Sequence, residues 1–187
     1  IMVKSSFKVL NEEEWMVQPQ FSNANLRAAF SLKSIPVIGF EGRRSFAKKA
    51  GFDPNGLVIP KQTHSTNVSF AKSVNSIENC DGVFTDEKDI VCSIQVADCM
   101  PIYFAHCSKN VYGLVHAGWR GLVYGILEST SQLILENGYK LHDFEIFIGP
   151  SIQKCCFEIR DDIVGNFKIE CVTPTQENDK YKVDLQS

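Results

Sequence analysis

Two histidines and one cysteine are the residues in this sequence best suited to hold a catalytic metal. His64 lies in KQTHST, Cys99 lies in ADCMP and His116 lies in VHAGWRG. Two imidazoles and one thiolate form a known ligand set for catalytic zinc, in which the fourth position stays open for water or substrate. Structural zinc sites usually take four protein ligands, often in CxxC pairs, and the sequence contains no CxxC pair. The residue types therefore predict a zinc site at His64, Cys99 and His116.

The spacing of the three residues favours a site assembled from several segments. His64 and Cys99 are 35 residues apart, and His116 follows Cys99 by 17 residues. Each of them lies at or just after the end of a short apolar run typical of a strand. Because sites in α/β proteins are commonly built where strands end, we expect the three side chains to meet there.

Asp98 and Arg120 are further candidates for catalysis, because Asp98 directly precedes one predicted ligand and Arg120 follows another by four residues. The carboxylate of Asp98 directly precedes Cys99 and could move a proton. Arg120 follows the small residues of HAGWRG at the predicted start of a helix. There its guanidinium and the free backbone N–H groups could bind phosphate. Two structural alternatives stay open at this point, a packed Cys99 thiol and a solvated Arg120.

The seven cysteines predict free thiols and ligands, not a disulfide framework, because their number is odd and the context looks reducing. Cys92 and Cys107 lie in apolar segments and are expected to be small buried residues. The adjacent Cys155 and Cys156 could be redox-active, although packing or lining of the site is favoured.

The elements that must position these residues are mostly short strands. Apolar runs rich in Val, Ile and aromatic residues, separated by Gly, Pro and polar residues, predict a largely buried sheet. The predicted strands are 25–31, 57–60, 68–71, 81–84, 90–96, 102–105, 111–115, 144–148 and 155–159. The predicted helices are 42–50, ending at Gly51, 122–135 and 161–167. The last twenty residues are weakly patterned, and one α/β domain over residues 1–187 is the simplest interpretation.

Composition narrows the class of protein. The chain has 187 residues, a net charge of -3 and 44% hydrophobic residues, which is ordinary for a globular protein. A general nucleic-acid binder would need a basic face, so that class is disfavoured. No apolar run approaches the roughly 18 residues of a membrane span, and residues 1–20 lack a signal-peptide pattern. The expected location is the cytoplasm.

Six segments of the sequence resemble those of the YfiH family, also called the laccase-domain or multicopper polyphenol oxidase family and related to the peptidoglycan editing factors. They are AAFS (28–31), KQTHSTNV (61–68), DGVFTD (81–86), ADCMPIYFA (97–105), VHAGWRG (115–121) and IGPSIQKCCFEI (148–159). The segments occur in the order of the family and span about 130 of the 187 residues. The combination of ADC with HAGWRG is very specific.

The resemblance implies an α/β sandwich of mixed sheet and helices, which is also similar to the deamidase domain of cytotoxic necrotizing factor. It implies the same three metal ligands, His64, Cys99 and His116, with zinc as the cofactor and copper as an older assignment. The implied activity is phosphorolysis of adenosine, inosine and 5'-methylthioadenosine to the base and ribose 1-phosphate, with adenosine deamination in addition. The implied partners are therefore a purine nucleoside and phosphate.

Two features depart from the family pattern. Lys33 stands where members often have arginine, which keeps the charge but loses the planar fork. Members also usually continue beyond residue 187 with a helix and a strand that carries arginines. We expect the family's C-terminal segment to be absent from residues 1–187.

Three other functions remain open on the sequence alone. One is a cysteine hydrolase or deamidase with Cys99 as nucleophile and His116 as base. Another is copper-dependent phenol oxidation, although laccase-type centres use about ten histidines and this chain has four. The last is a non-enzymatic scaffold with a vestigial metal site. The sequence predicts no oligomeric state.

Overall fold

The computed structural model of the chain describes residues 2–4, 7–9, 16–33 and 37–186, with side chains from residue 18 onward. The acidic stretch 11–14, which bears on the signal-peptide question, lies outside the described residues. The strands are β1 (Met2–Lys4), β2 (Phe7–Val9), β3 (Met16–Pro19), β4 (Phe30–Ser31), β5 (Leu57–Pro60), β6 (Val68–Phe70), β7 (Ser76–Ile77), β8 (Gly82–Thr85), β9 (Val91–Cys92), β10 (Met100–His106), β11 (Tyr112–Ala117), β12 (Phe144–Ile148), β13 (Glu158–Arg160), β14 (Val172–Pro174) and β15 (Lys180–Val183). The α-helices are α1 (Gly39–Lys49), α2 (Trp119–Tyr124), α3 (Ile126–Glu136) and α4 (Asp161–Val164), and 3-10 turns occupy Leu141–Asp143 and Ile169–Cys171.

A six-stranded mixed sheet forms the centre of the fold, in the order β1-β12-β10-β11-β8-β6. The pairs β12/β10, β10/β11 and β11/β8 are antiparallel, whereas β1/β12 and β6/β8 are parallel. All seven residues of β10 are buried, six apolar residues followed by His106. The mixed α/β fold predicted from the sequence is confirmed.

The main core lies between this sheet and helix α3. Ile126 and Ile134, eight residues apart on one face of α3, are buried against the sheet, and Thr130 between them is buried as well. The hydroxyl of Thr130 donates a hydrogen bond to the carbonyl of Ile126, so no polar group is left unpaired there. The buried members of this core are Phe84, Met100, Ile102, Phe104, Val111, Val115, Ala117, Ile126, Ile134 and Phe144.

Three small sheets of three strands each surround the central one: β7-β5-β9, β2-β3-β4 and β13-β15-β14. The strand β5 pairs in parallel with both β7 and β9. The sheet β13-β15-β14 covers its own cluster of buried side chains, Ile159, Cys171 and Val183.

The sheet topology brings four segments to one end of the central sheet. Because β10 and β11 are antiparallel, the start of β10 lies beside the end of β11, and Met100 pairs with Ala117. The start of β8 lies there too, since Gly82 pairs with Val115, and the start of β6 follows because Val68 pairs with Gly82. The loops that carry the predicted ligands therefore converge.

Several predicted elements are confirmed with small shifts. Strands 57–60 and 144–148 have the predicted bounds, and strands 68–71, 81–84, 102–105 and 111–115 correspond to β6, β8, β10 and β11. Helix 42–50 begins earlier, at Gly39, and the predicted capping residue Gly51 has a φ of 78°. That left-handed conformation favours glycine after a helix.

The prediction of one helix over 122–135 is wrong, because the chain forms α2 and α3 with Gly125 between them. Gly125 has a φ of 99°, which ends one helix and begins the next. The apolar periodicity continues across this break, so the pattern alone does not reveal it. The helix 161–167 is likewise shorter than predicted, since α4 ends at Val164.

Three strand predictions are also corrected. Strand 25–31 is reduced to Phe30–Ser31, and strand 90–96 is reduced to Val91–Cys92, which joins β5 instead of the central sheet. Residues 154–156 form a turn, and the strand after them is β13. The weakly patterned C-terminal residues contain β14 and β15. No helix in the described part of the chain is both long enough and apolar enough to cross a membrane.

Candidate metal centre

The loop that carries His64 follows β5 and wraps around a carboxylate. The backbone N–H groups of Thr63, His64 and Ser65 donate hydrogen bonds to Asp81, at 3.1, 3.1 and 2.7 Å. His64 has a φ of 59°, a left-handed conformation that is uncommon outside glycine. Successive N–H groups in such a turn form a concave anion site. Asp81 therefore fixes the backbone that positions His64.

Asp81 also orients His116. Its carboxylate accepts a hydrogen bond from Nδ1 of His116 at 2.8 Å, and its backbone carbonyl accepts one from the His116 N–H at 2.7 Å. A carboxylate only accepts, so Nδ1 carries the proton and Nε2 keeps a lone pair for a cation. Carboxylate–histidine pairs of this kind commonly support metal ligands.

The ionisation states at this point suit a metal ligand. Burial opposes charge on Asp81, but hydrogen bonds from His116 and Ser65 outweigh it and lower the pKa of Asp81 below its ordinary value. Burial lowers the pKa of His116, with a smaller contribution from His64, in spite of the nearby Asp81. At neutral pH the carboxylate is therefore charged and the imidazole of His116 is neutral, as metal binding requires.

Cys99 reaches the same place from the segment that enters β10. Its Sγ lies 3.7 Å from Nε2 of His64, and the ligand atoms of His64, Cys99 and His116 all lie within 4.8 Å of one another. Zinc–nitrogen and zinc–sulfur bond lengths imply ligand separations of roughly 3.4–3.6 Å in a tetrahedral site. The donor types and their distances therefore fit a zinc ion after small side-chain movements.

The thiol of Cys99 is not activated by its protein surroundings. Burial, followed by the charges of Asp98 and Asp81, raises the pKa of Cys99. Without a cation the thiol therefore stays protonated at neutral pH, whereas a coordinated cation would deprotonate it. This environment suits a metal ligand better than a free nucleophile.

Gly118 lets the chain pass close to the ligands. A Cβ atom at this position would lie 2.8 Å from Cδ2 of His64 and 3.2 Å from Sγ of Cys99. The φ of Gly118 is -71°, which any residue can adopt. Glycine is therefore required at position 118 for space beside the two side chains.

Asp98 lies at the junction between the metal centre and a large cavity. It has a φ of 75°, and its carbonyl accepts a hydrogen bond from the N–H of Ile152 at 2.8 Å. Its side chain is exposed and lines a cavity of about 1190 Å³, together with Lys33, Arg43 and Tyr103. A left-handed non-glycine residue beside a ligand is typical of a functional position.

Arg120 lies two residues after Gly118, in the first turn of α2. Its guanidinium lies over the ring of Trp119, with 4.4 Å between its carbon and the ring centroid. The side chain is exposed, and it forms no ion pair with any residue that the structure describes. The solvated state considered from the sequence is thus the observed one, and a role in phosphate binding stays a prediction.

The remaining cysteines lie outside the cluster. All seven cysteines are free thiols, as predicted. Cys92 is partly buried, whereas Cys107 is exposed, so the prediction of a buried residue is wrong for Cys107. Cys155 and Cys156 are exposed with their Sγ atoms 3.3 Å apart, so the pair is not packed in the core, and its lining of the site stays a prediction.

The other two histidines do not extend the metal centre. His106 is buried, and its Nδ1 accepts hydrogen bonds from the N–H groups of Ser108 and Lys109. His142 is exposed beside Asp143. Within the described ranges, His64, Cys99 and His116 form the one group of His, Cys, Asp or Glu side chains close enough to share a metal ion.

Sequence reasoning missed Asp81. The available signal was an acidic residue at the start of the apolar run in DGVFTD, because a charge next to buried strand residues must be paired. The sequence does not show which groups pair with Asp81. They are the loop of His64 and the ring of His116, which lies 35 residues further along the chain.

Comparison with known proteins places the chain in a family. The family model described as multi-copper polyphenol oxidoreductase laccase matches residues 16–187. The purine nucleoside phosphorylase LACC1 of Homo sapiens is 32% identical over 142 residues, which cover 75% of this chain and 33% of that protein. The adenosine deaminase RL5 from an unknown prokaryotic organism is 30% identical over 158 residues, covering 79% of this chain and 60% of that protein.

Comparison with solved structures agrees with the sequence relatives. The crystal structure of YfiH from Bacillus licheniformis superposes with a TM-score of 0.84 and 20% identity, covering 96% of this chain and 80% of that one. YlmD from Geobacillus stearothermophilus gives a TM-score of 0.71 and 27% identity, covering 78% of this chain and 60% of that one. The chain spans between about a third and three fifths of the length of the curated relatives named above. With the family model matched over most of its length, the chain belongs to the YfiH family of laccase-domain proteins.

Proposed function

We propose that the protein is a zinc-dependent purine nucleoside phosphorylase that converts adenosine, inosine or 5'-methylthioadenosine to the base and ribose 1-phosphate. The observation that carries the proposal is the cluster of His64, Cys99 and His116, organised by the buried Asp81 beside a large cavity. Several relatives are named purine nucleoside phosphorylases, and these names support the choice of reaction.

Zinc is the metal that the donor set supports. Three protein ligands are available: the unprotonated Nε2 of His116, the imidazole of His64 and the sulfur of Cys99. A tetrahedral zinc ion held by three ligands keeps one coordination position for substrate or water. Zinc, when bound, would supply a Lewis acid that polarises an oxygen atom at that position. Copper also binds imidazole and thiolate, so elemental analysis must decide between them.

The nucleoside would occupy the cavity beside Asp98. Its volume of about 1190 Å³ is ample for a base and a ribose. In phosphorolysis a phosphate oxygen attacks C1' of the ribose and the bond from C1' to the base nitrogen breaks. Asp98, which lines the cavity, would take a proton from the attacking dihydrogen phosphate and pass it to the departing base. The proton prevents the build-up of negative charge on the base as the bond breaks.

Lys33 and Arg120 are the two cations that we assign to the phosphate. Lys33 lines the cavity, and the guanidinium of Arg120 is exposed after the turn at Gly118. A cation next to the attacking phosphate holds it in place and offsets its charge as it approaches the sugar. Arg120 would bind with two parallel hydrogen bonds, whereas Lys33 would act as a point charge.

The test is a product assay with zinc-loaded protein, adenosine and phosphate. We expect adenine and ribose 1-phosphate in equal amounts, and no adenine when phosphate is left out. Asp98→Asn and Arg120→Ala should each reduce the rate by about a hundredfold. Arg44→Ala, which removes a partly buried arginine of α1 that stacks on Phe40 and donates to Asn55, is the control and should leave the rate unchanged. Absence of ribose 1-phosphate would contradict the proposal.

Adenosine deamination is a second candidate, since one relative is named an adenosine deaminase. The same metal can activate water for hydrolytic chemistry. The same assay separates the two reactions, because deamination yields inosine and ammonia without consuming phosphate. Inosine as the only product would favour this second function.

The cysteine hydrolase has partial geometric support. Asp81 holds His116 as the acid of a catalytic triad holds its histidine. However, the raised pKa of Cys99 disfavours a free thiolate, and His64 has no role in a triad. A zinc ion bound through Cys99 would leave no free nucleophile, so zinc content that disappears in Cys99→Ala would count against the hydrolase.

Multicopper oxidation has less support. A laccase-type centre needs several clusters of histidines, and the described residues offer a single three-ligand group. Copper bound in one-to-one ratio would make the centre a mononuclear copper site, which can be tested directly with the same elemental analysis.

A further inference from the structure

Gln62 connects the two loops that carry His64 and Cys99. Its side-chain Nε2 donates a hydrogen bond to the carbonyl of Gln95 at 2.7 Å, and its Oε1 accepts one from the N–H of Gln95, also at 2.7 Å. One carboxamide thus binds both backbone groups of one residue. Gln62 is two residues before His64, and Gln95 is four residues before Cys99.

These two bonds continue the parallel ladder of β5 and β9 beyond its end. Leu57 pairs with Val91 and Val58 pairs with Cys92, and the N–H of Ser93 then donates to the carbonyl of Val58. After this point the backbones no longer pair. The carboxamide of Gln62 offers the same donor and acceptor as a peptide group, so it adds one more rung to the ladder.

Gln95 is itself held from the other side. Its Nε2 donates to the carbonyl of Val37 at 2.8 Å, and its Oε1 accepts a hydrogen bond from Nη2 of Arg43 in helix α1 at 3.0 Å. Arg43 also reaches Oγ of Ser93 at 3.4 Å. The loop of Cys99 is therefore tied to α1 by hydrogen bonds. The loop of His64 is in turn tied to the loop of Cys99 through Gln62.

We propose that Gln62 is a positioning residue that sets the separation between His64 and Cys99 in the metal centre. The inference rests on the proposed metal binding, and Gln62 itself is not a ligand. Asp81 fixes His64 relative to His116, but it makes no hydrogen bond to the backbone of the Cys99 loop among the described contacts. Gln62 supplies this missing link.

A side chain at position 62 needs both a donor and an acceptor to form this link. Leucine has nearly the same size and has neither group. Glutamate keeps the acceptor for the N–H of Gln95, but it places an oxygen against the carbonyl of Gln95, and two acceptors repel each other. The structure therefore predicts the order Gln, Glu, Leu for the precision with which the two ligands are held.

The test measures metal affinity directly, by competition of the protein with a chelator for zinc, and follows the cobalt-substituted protein by its absorption spectrum. In Gln62→Leu we expect zinc to bind about tenfold or more weakly, a range typical of lost support for metal ligands. The thiolate-to-cobalt band should lose intensity, because Cys99 no longer sits at the right distance. Gln62→Glu should give a smaller loss in affinity.

Two controls separate this role from general loosening. Gln95→Ala keeps the backbone groups that Gln62 binds and removes only the contacts to Val37 and Arg43, so its loss of zinc affinity should be clearly smaller than that of Gln62→Leu. Gln132→Leu removes an exposed glutamine that bonds only to Glu136 on α3, and it should bind zinc normally. Thermal unfolding of each variant checks that it is folded.

The outcomes distinguish this inference from the proposed function. If the unchanged protein does not bind zinc, the metal centre itself is wrong. If the unchanged protein binds zinc, and folded Gln62→Leu and Gln62→Glu bind zinc as tightly as the unchanged protein does, the role assigned to Gln62 is wrong. A loss in Gln95→Ala as large as that in Gln62→Leu would also overturn it, since the effect would then belong to the whole loop.

Discussion

The carboxylate of Asp81 accepts five hydrogen bonds from four residues, among them both histidines of the metal centre. It is fully buried, so no water can replace a lost partner. A buried charge is tolerated only when it is paired and hydrogen-bonded in this way. At the scale of single residues, the arrangement of His64 and His116 therefore depends on a side chain that is not one of the three candidate ligands.

Replacement of Asp81 by asparagine tests this dependence. Asparagine has the same shape, but its NH2 group would face N–H donors and it carries no charge. We expect zinc affinity to fall by about 10–100-fold and the free energy of unfolding to fall by about 3 kcal/mol. Chelator competition and urea denaturation measure the two effects.

A matched change at an exposed carboxylate is the control for Asp81. Asp162 is exposed in α4, and Asp162→Asn should alter the free energy of unfolding by less than about 0.5 kcal/mol and leave zinc affinity unchanged. If Asp81→Asn binds zinc as tightly as Asp162→Asn does, Asp81 does not orient the ligands.

Gly118→Ala tests the packing around the ligands. The added methyl group would collide with His64 and Cys99, at 2.8 and 3.2 Å, without straining the backbone. We expect a loss of zinc affinity of about tenfold or more, together with a destabilisation of about 1–3 kcal/mol. Both can be measured by titration with zinc and by denaturation.

Gly165→Ala is the control for Gly118. Gly165 has an ordinary φ of -63°, and no neighbouring atom lies within 4 Å of the position that a Cβ would take there. It should therefore accept alanine with normal zinc binding. Equal zinc affinities in the two alanine variants would mean that the space beside His64 and Cys99 is not critical.

At the scale of elements, the sequence is informative wherever an apolar run has clear ends. The strands 57–60 and 144–148 have the predicted bounds, since each ends at a proline or at Gly149 followed by proline. The convergence of His64, Cys99 and His116 could be predicted from residue type and from their places after strands. Their partners could not, because Asp81 and Gln62 act through contacts between distant segments that no local pattern encodes.

The element predictions that the structure corrects also have a physical explanation. The sequence predicts a continuous helix over 122–135, because Gly125 falls between apolar residues that keep a helical spacing on both sides. Strand 90–96 is predicted from its composition. In the structure the chain stops pairing with β5 after Cys92 and continues as a loop, which the side chain of Gln62 holds at Gln95. Local preference alone does not decide such positions.

An ion pair that joins three elements provides a test of pH dependence. Lys72, after β6, lies 2.5 Å from Asp86, after β8, and the hydroxyl of Tyr139, after α3, donates to Asp86 at 3.1 Å. Burial alone would raise the pKa of Asp86, but the hydrogen bonds from Lys72 and Tyr139 lower it below its ordinary value. The native carboxylate thus keeps its charge to lower pH than the unfolded one.

The sign of the effect follows from this shift. The contribution of Asp86 to stability is present above the ordinary aspartate pKa of about 3.9 and is lost as pH falls through the lower pKa of the native state. Asp86→Asn should therefore lower the free energy of unfolding by about 0.5–1 kcal/mol at pH 7 and by less near pH 3. A difference that is the same at both pH values, measured by urea denaturation, would contradict the assignment.

At the scale of the whole molecule, the metal centre joins parts of the chain that are far apart in sequence. His64 follows β5, Cys99 precedes β10 and His116 lies near the end of β11. An ion bound to all three stabilises the folded state because it does not bind the unfolded chain equally well. The site should therefore contribute to global stability as well as to chemistry.

Removal of zinc tests this contribution. At a free zinc concentration about one hundred times the dissociation constant, binding adds about 2.7 kcal/mol to the free energy of unfolding. A chelator should remove that gain and lower the melting temperature of the unchanged protein. In Cys99→Ala the chelator should have little effect, and equal shifts in both proteins would show that the metal binds elsewhere.

We propose that one zinc ion binds to His64, Cys99 and His116. The most direct measurement is a crystal structure of the zinc-loaded protein with anomalous data collected on both sides of the zinc absorption edge. We predict a single anomalous peak, present only above the edge, within bonding distance of Nε2 of His116, the ring of His64 and Sγ of Cys99. A peak elsewhere, a peak of another metal, or none between these three side chains would contradict the account.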